Sequence, residues 1–335
     1  MKKTLLFFTA GICIFGSCGE PELKEVPALQ QKDKFQVTIP DALTNSKRSG
    51  AGRVEDQIVA TLNATLFEST PYKVSEVHVC MTRTGANAST TVETIDQQFE
   101  STLPSRWVTN DERRNWNGDN DLNDLDWLAF TPFSVANETY DALPIYQSMY
   151  AKWETGGSCK TLNIDQTPYD LSMGNPSLIL GIGGLPPAEL PLADVSVIGF
   201  LPAPIFEALL GSPNVLGVAF SFVFVDDVTG EPTKTTRGKE DKAFTEVWFN
   251  DGFVWSDGAA PGAIDLESVI LHEFGHTLNL GHFGILQSFT RKGTVKYVYQ
   301  PVNTMNAIYI GEPRNFLGPN DKGNYCEAWG SWPWN

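Results

Sequence analysis

A chain of 335 residues, 41% apolar and 19% charged, has the composition of a globular protein and the length for one large domain with a smaller segment, or two modest domains. Its 24 Lys and Arg stand against 40 Asp and Glu, a net charge of −16 with no dense basic stretch. That field repels phosphate backbones and argues against nucleic acid as a partner.

In chain order, the first residues read as an export signal. Lys2 and Lys3 precede an apolar run over residues 5–15 that is too short to span a bilayer. The run ends at Phe15-Gly16-Ser17-Cys18, which resembles a bacterial lipoprotein signal in which Cys18 is lipidated and becomes the mature N-terminus. Ordinary cleavage near Gly16 or Ser17 is the alternative, because small residues suit both routes. Residues 19–33, polar and rich in Pro, Glu and Lys, suit a tether. No later segment reaches transmembrane length, so contact with a membrane is expected only through that N-terminal anchor. Of the cysteines beyond the signal, Cys80, Cys159 and Cys326 remain, so at most one bridge forms within the chain.

Residues 34–104 are expected to be a pro-segment or accessory region. They hold a helix over 53–67, with Val54, Ile58, Leu62 and Leu66 four apart, and an alternating strand over 73–80. A polar loop over 115–126 interleaves Asp119, Asp121, Asp124 and Asp126 with Asn and Gly. Its oxygens are compatible with Ca²⁺, but the spacing lacks the ordered positions of an EF-hand, and such clusters are ordinary turn chemistry. Residues 127–130 read as a strand, 140–153 as a helix and 160–164 as a strand; the Gly/Pro-rich stretch 174–191 reads as loop. Residues 194–201, 215–226 and 244–249 are strongly β. Helices and strands alternate, so the class is α/β or α+β with a mixed sheet.

Asp265 is an N-cap candidate for a helix whose apolar face is Leu266, Val269, Ile270 and Phe274. His272 and His276 are one turn apart on that helix, about 40° from superposition, and can offer two imidazoles to one zinc ion. Glu273 flanks them, close enough to reach a metal-bound water without being a ligand. His282 reaches the same ion only if the helix ends and the chain doubles back. Asn279 supplies that break, since Asn tolerates the left-handed conformation that terminates helices. Three of the four histidines in the chain fall within these eleven residues. Two His and a Glu buried on a helix without a metal would cost desolvation with no return.

The run from His272 to His282, with Met305 following 23 residues later, resembles the metzincins, whose signature is HExxHxxGxxH and a methionine turn. Asn279 stands where that family has Gly. The likeness is nearest to bacterial matrixin-type peptidases and covers roughly residues 105–335, taken as the catalytic domain. Glu246-Val247-Trp248-Phe249-Asn250 followed by Trp255 resembles their antiparallel edge strand, and Leu317-Gly318-Pro319-Asn320-Asp321 the start of their last helix. The resemblance implies a metzincin-like α/β fold with a twisted mixed sheet, an active-site helix and a small irregular C-terminal subdomain. It also implies a bridge between Cys159 and Cys326. The pattern departs from the family in three further respects. No cysteine-switch motif precedes the domain, His78 is the sole other histidine, and Ala307 occupies the place of the astacin tyrosine.

What the resemblance implies chemically is one catalytic Zn²⁺ held by His272, His276 and His282, with a zinc-bound water deprotonated by Glu273 and a protein or peptide substrate. The substrate would lie along Val247, Trp248 and Phe249, and Ala307 and Ile308 would wall the pocket after the cleaved bond. The alternative from a different class is a non-enzymatic surface lipoprotein, an adhesin or binding protein, that retains a zinc site.

Overall fold

The structure is a computed structural model that describes residues 54–66, 70–82, 92–130, 135–136, 140–157, 159–182, 191–258 and 260–334. The expected signal at 1–18 with Cys18, and the tether at 19–33, lie outside the described residues.

The elements run α1 (Val54–Leu66), β1 (Tyr72–Thr82), β2 (Glu93–Phe99), β3 (Ser105–Arg106), β4 (Leu125–Ala129), β5 (Val135–Ala136), β6 (Tyr140–Asp141), α2 (Leu143–Gly156) and β7 (Ile164–Gln166). There follow α3 (Leu178–Ile182), β8 (Val195–Leu201), α4 (Ala203–Leu210), β9 (Val215–Phe224), β10 (Glu240–Asn250), β11 (Trp255–Ser256) and β12 (Ile264–Asp265). The chain ends with α5 (Leu266–Thr277), β13 (Phe283–Arg291), β14 (Thr294–Gln300), β15 (Ile308–Tyr309) and α6 (Pro319–Trp329).

One mixed sheet, ordered β15-β1-β9-β10-β8-β4-β7 with β3 added on β10, organises the molecule. β9 is antiparallel to both of its neighbours, while the β1–β15, β10–β8, β8–β4 and β4–β7 pairs are parallel. β8 and β9 are apolar almost throughout and buried at every position, as strands covered on both faces must be. Alternate residues feed two cores. Ile198, Phe200, Ala219, Val247 and Phe249 pack with Trp153 of α2 and Phe274 of α5, whereas Val197, Phe220, Phe222 and Trp248 pack with Ile58 of α1, Ile179 of α3 and Phe206 of α4.

The sheet corrects two expectations. The antiparallel strand is interior rather than at an edge, because β1 adds itself beside β9. The strand expected to lie open, Val247–Phe249, belongs to β10 and is bonded on both sides, by β9 and β8. Strands from either side of residue 105 pair with each other: β1 adds to the main sheet beside β9, and β2 pairs with β13. Locally, the stretch expected as loop over 174–191 contains α3, whose Leu178, Ile179 and Leu180 bury against the sheet. The strand expected at 160–164 begins only at Ile164, the preceding residues being held toward α6 by the Cys159–Cys326 disulfide.

β13 and β14 form a hairpin between the third histidine and Met305 that sequence reading missed. Its two-residue turn is Lys292-Gly293, both with positive φ (52° and 76°), the geometry that matches the twist of the flanking strands.

Candidate metal centre

α5 starts where expected: Asp265 caps it, accepting from the Ser268 N–H at 3.1 Å. It is buried on every side, including His272, Glu273, His276 and Thr277. Three tryptophans hold its carbonyls. Trp153 donates to Leu271 O at 2.8 Å, Trp107 to Thr277 O at 2.9 Å and Trp329 to Leu278 O at 2.8 Å. The last two satisfy groups that a helix C-terminus leaves without partners.

The helix ends in a Schellman motif. Asn279 has φ 66°, its N–H bonds to His276 O at 3.0 Å, and the Leu280 N–H reaches back to Gly275 O at 3.0 Å. This reversal carries His282 under the helix. The Nε2 atoms of His272, His276 and His282 then stand 3.1 to 3.2 Å from one another. Three nitrogens at that spacing fit one ion at about 2.0–2.1 Å with N–metal–N angles near 100°.

Each Nδ1 faces an oxygen: Thr304 O at 2.8 Å for His272, Leu280 O at 2.7 Å for His276, and Gln98 Oε1 at 3.1 Å for His282. Three acceptors on the outer nitrogens put the protons there and leave three lone pairs converging on one point. Those lone pairs have no hydrogen to share among themselves, so the donor set fits a bound cation. Burial lowers the pKa of His272 to about 3, and that of His276 well below the usual range, which keeps both imidazoles neutral as ligands must be.

Glu273 is 0% exposed and its Oε2 has no hydrogen-bond partner. Burial drives its pKa well above the ordinary carboxylate value, offset to a degree by the Cys80 N–H, which donates to Oε1 at 3.2 Å. An unsatisfied buried carboxyl costs on the order of 2–7 kcal/mol. Glu273 therefore does not serve stability, and it lies next to His272 on the helix that carries two of the three histidines.

Met305 is fully buried and packs so tightly beneath Gly275 that a Cβ there would collide with its sulfur. Its turn is fixed by Asp321, which caps α6 and accepts from Thr304 N at 2.8 Å and Met305 N at 3.1 Å. Arg314, also buried, donates to Asn306 O at 3.2 Å and Ile308 O at 3.0 Å.

The residues expected to contact substrate are enclosed by their neighbours. Val247, Trp248 and Phe249 are fully buried, with Trp248 on the face of the sheet away from α5. Ala307 and Ile308 are engaged by β1: Met81 N donates to Ala307 O at 3.2 Å, and Met81 pairs with Ile308. Cys159 and Cys326 are joined, Cα–Cα 5.8 Å, while Cys80 is a buried free thiol facing Glu273 and His272. Burial, then Glu273, pushes that thiol's pKa up.

Asp119, Asp124 and Asp126 converge within 4.8 Å on the separate polar loop. Burial and mutual repulsion raise Asp124 to about 7; burial followed by Asp194 does the same for Asp126. Sequence reading missed Gln98, Asp321 and Arg314. For Asp321, its position three residues after Gly318 at the start of a helix was an available signal.

No family model matches the chain. Over 139 residues it is 29% identical to Metalloendoproteinase 2-MMP of Arabidopsis thaliana, a match covering 33% of this chain and 36% of that protein. The chain thus matches little more than a third of that relative's length, a weak link to a metalloendoproteinase.

Proposed function

We propose that the protein is an exported zinc-dependent endopeptidase of metzincin, matrixin-like type. The observation that carries this reading is the triad of Nε2 atoms 3.1 to 3.2 Å apart with Glu273 beside it. When bound there, zinc supplies a Lewis acid that makes water acidic and polarises a carbonyl. Glu273 takes the proton of the attacking water and returns it to the leaving nitrogen, which asks for a carboxylate that touches the site without ligating. Met305 and Gly275 keep the helix and the turn in register below the ligands. The weak likeness to a metalloendoproteinase supports peptide bonds as the target.

Export rests on the basic and apolar pattern of residues 1–18, with Cys18 as a lipid attachment point, and is supported by the Cys159–Cys326 bridge. A second reading, a non-enzymatic surface protein retaining zinc, has one observation in its favour: all three ligands and Glu273 are buried.

The test is Glu273→Ala. It should keep one zinc per chain, lose cleavage of a casein or gelatin panel, and unfold at the same or higher temperature because an unsatisfied carboxyl is gone. Full cleavage by this variant sinks the mechanism; no cleavage by the wild type, with β1 displaced, leaves the non-enzymatic reading.

A further inference from the structure

β1 lies across the metal centre. It pairs with β9 so that His78 is opposite Ala219 and Cys80 opposite Gly217. Gly217 is so near the helix that a Cβ there would stand 2.8 Å from Glu273 Oε1, the same oxygen that the Cys80 N–H holds at 3.2 Å. The β1 backbone therefore occupies the ground that a peptide must take to meet Glu273. With β1 in place His272, Glu273 and His276 are at most 1% exposed.

His78 points from β1 to the ligands. Its ring stacks on His276 with centroids 4.5 Å apart and meets the edge of His282 at 5.5 Å. A ring nitrogen from each of His78, His276 and His282 lies within 4.8 Å of the other two. His78 is 8% exposed, and its Nε2 stands 3.6 Å from Glu76 Oε2, beyond ordinary hydrogen-bond length.

We propose that His78 is a fourth protein ligand to the metal, supplied by the chain's own strand, which makes the described form a closed four-histidine centre. This rests on the peptidase reading above. Structural zinc sites take four protein ligands, whereas catalytic ones take three and keep a position open. Nitrogens on a tetrahedral zinc lie about 3.3 Å apart, so His78 joins the set by moving its ring toward His276 and His282. Cys80 is on the same face of β1, but its sulfur groups with His272 and Glu273, on the side of the base. Withdrawing β1 opens one coordination position and frees Glu273 Oε1 together. β2 remains, because its Gln98 supports His282.

The experiment uses the full chain loaded with cobalt(II), as wild type, His78→Ala, His78→Gln and Cys80→Ala, titrated with acetohydroxamate and followed by visible absorption. The wild-type spectrum should not move, while both His78 variants should take up the hydroxamate with a change of band shape. They should also lose zinc to a competing chelator at about 10-fold lower chelator concentration or less, and cleave peptides faster than the wild type. Should His78→Ala fail to fold, His78→Gln keeps a polar side chain of similar reach without an imidazole. A wild-type spectrum that shifts with hydroxamate as far as that of His78→Ala overturns the proposal. So does loss of a thiolate-to-cobalt band in Cys80→Ala alone. Failure of the peptidase reading shows differently, as spectra that follow expectation while no variant cleaves any peptide.

Discussion

Gln98 Oε1 lies 3.1 Å from Nδ1 of His282, joining residues 184 positions apart. It is the single side chain among the three groups that orient the ligand imidazoles, the others being backbone carbonyls of Thr304 and Leu280. Gln98→Ala should therefore weaken zinc binding by about 10- to 100-fold, as loss of such outer partners does. Gln98→Glu, which keeps the acceptor, should restore most of it. Competition with a chromophoric chelator reads the effect, and equal affinity of Gln98→Ala and wild type would contradict the role.

Asn279 holds φ 66° at the point where the helix reverses, and its Oδ1 is buried without a partner. Asn279→Gly should bind zinc as the wild type does and stay within about 1 kcal/mol of its stability. Asn279→Val should lose about 1–2 kcal/mol and weaken the metal site, because a branched side chain resists the left-handed conformation. Thermal unfolding with and without zinc decides between them; a tolerated Val would show that the reversal does not depend on this residue.

Asp124 and Asp126 carry folded-state pKa values of about 7, above the ordinary 3.8. Between about pH 4 and pH 7 the folded chain thus binds more protons than the unfolded one, so their contribution to stability falls as pH rises through that window. The double variant Asp124→Asn, Asp126→Asn should gain melting temperature over the wild type at pH 7.5 and little at pH 4. Identical shifts at both values would remove the electrostatic account.

The Cys159–Cys326 bridge closes a loop with a sequence separation of 167 and ties the chain after α2 to the last helix. Replacing both cysteines by serine should cost about 2–5 kcal/mol, since long loops gain most from closure. Denaturant melts of the double variant measure it, and an unchanged midpoint would mean that packing of Trp153 on Tyr325 holds these helices without help.

The histidine cluster was legible because its information is local. His272, Glu273 and His276 follow from helix geometry, and the left-handed Asn279 from conformational preference, with no reference to the rest of the fold. Sheet order was not legible. β8 and β9 are both apolar runs and β10 is as buried as they are, so nothing in their composition says which one another strand will join. Gln98 sits in a polar alternating stretch that reads as solvated surface. His78 was visible as the fourth histidine, but its nearness to the other three depends on a pairing between β1 and β9 that no spacing encodes.

The contact between Cys80 and Glu273 spans 193 residues, which bears on how the molecule assembles. β1 is made early yet has no partner until β9 emerges, and β15 joins it later still. Folding must close these long loops before their contacts repay the lost entropy, so it belongs at the slow end for its size. Until then β1 is an unpaired strand with Val74, Val77 and Val79 uncovered, the kind of segment that invites association between nascent chains. The strand that shuts the finished site is thus also the segment most in need of protection before the fold is complete.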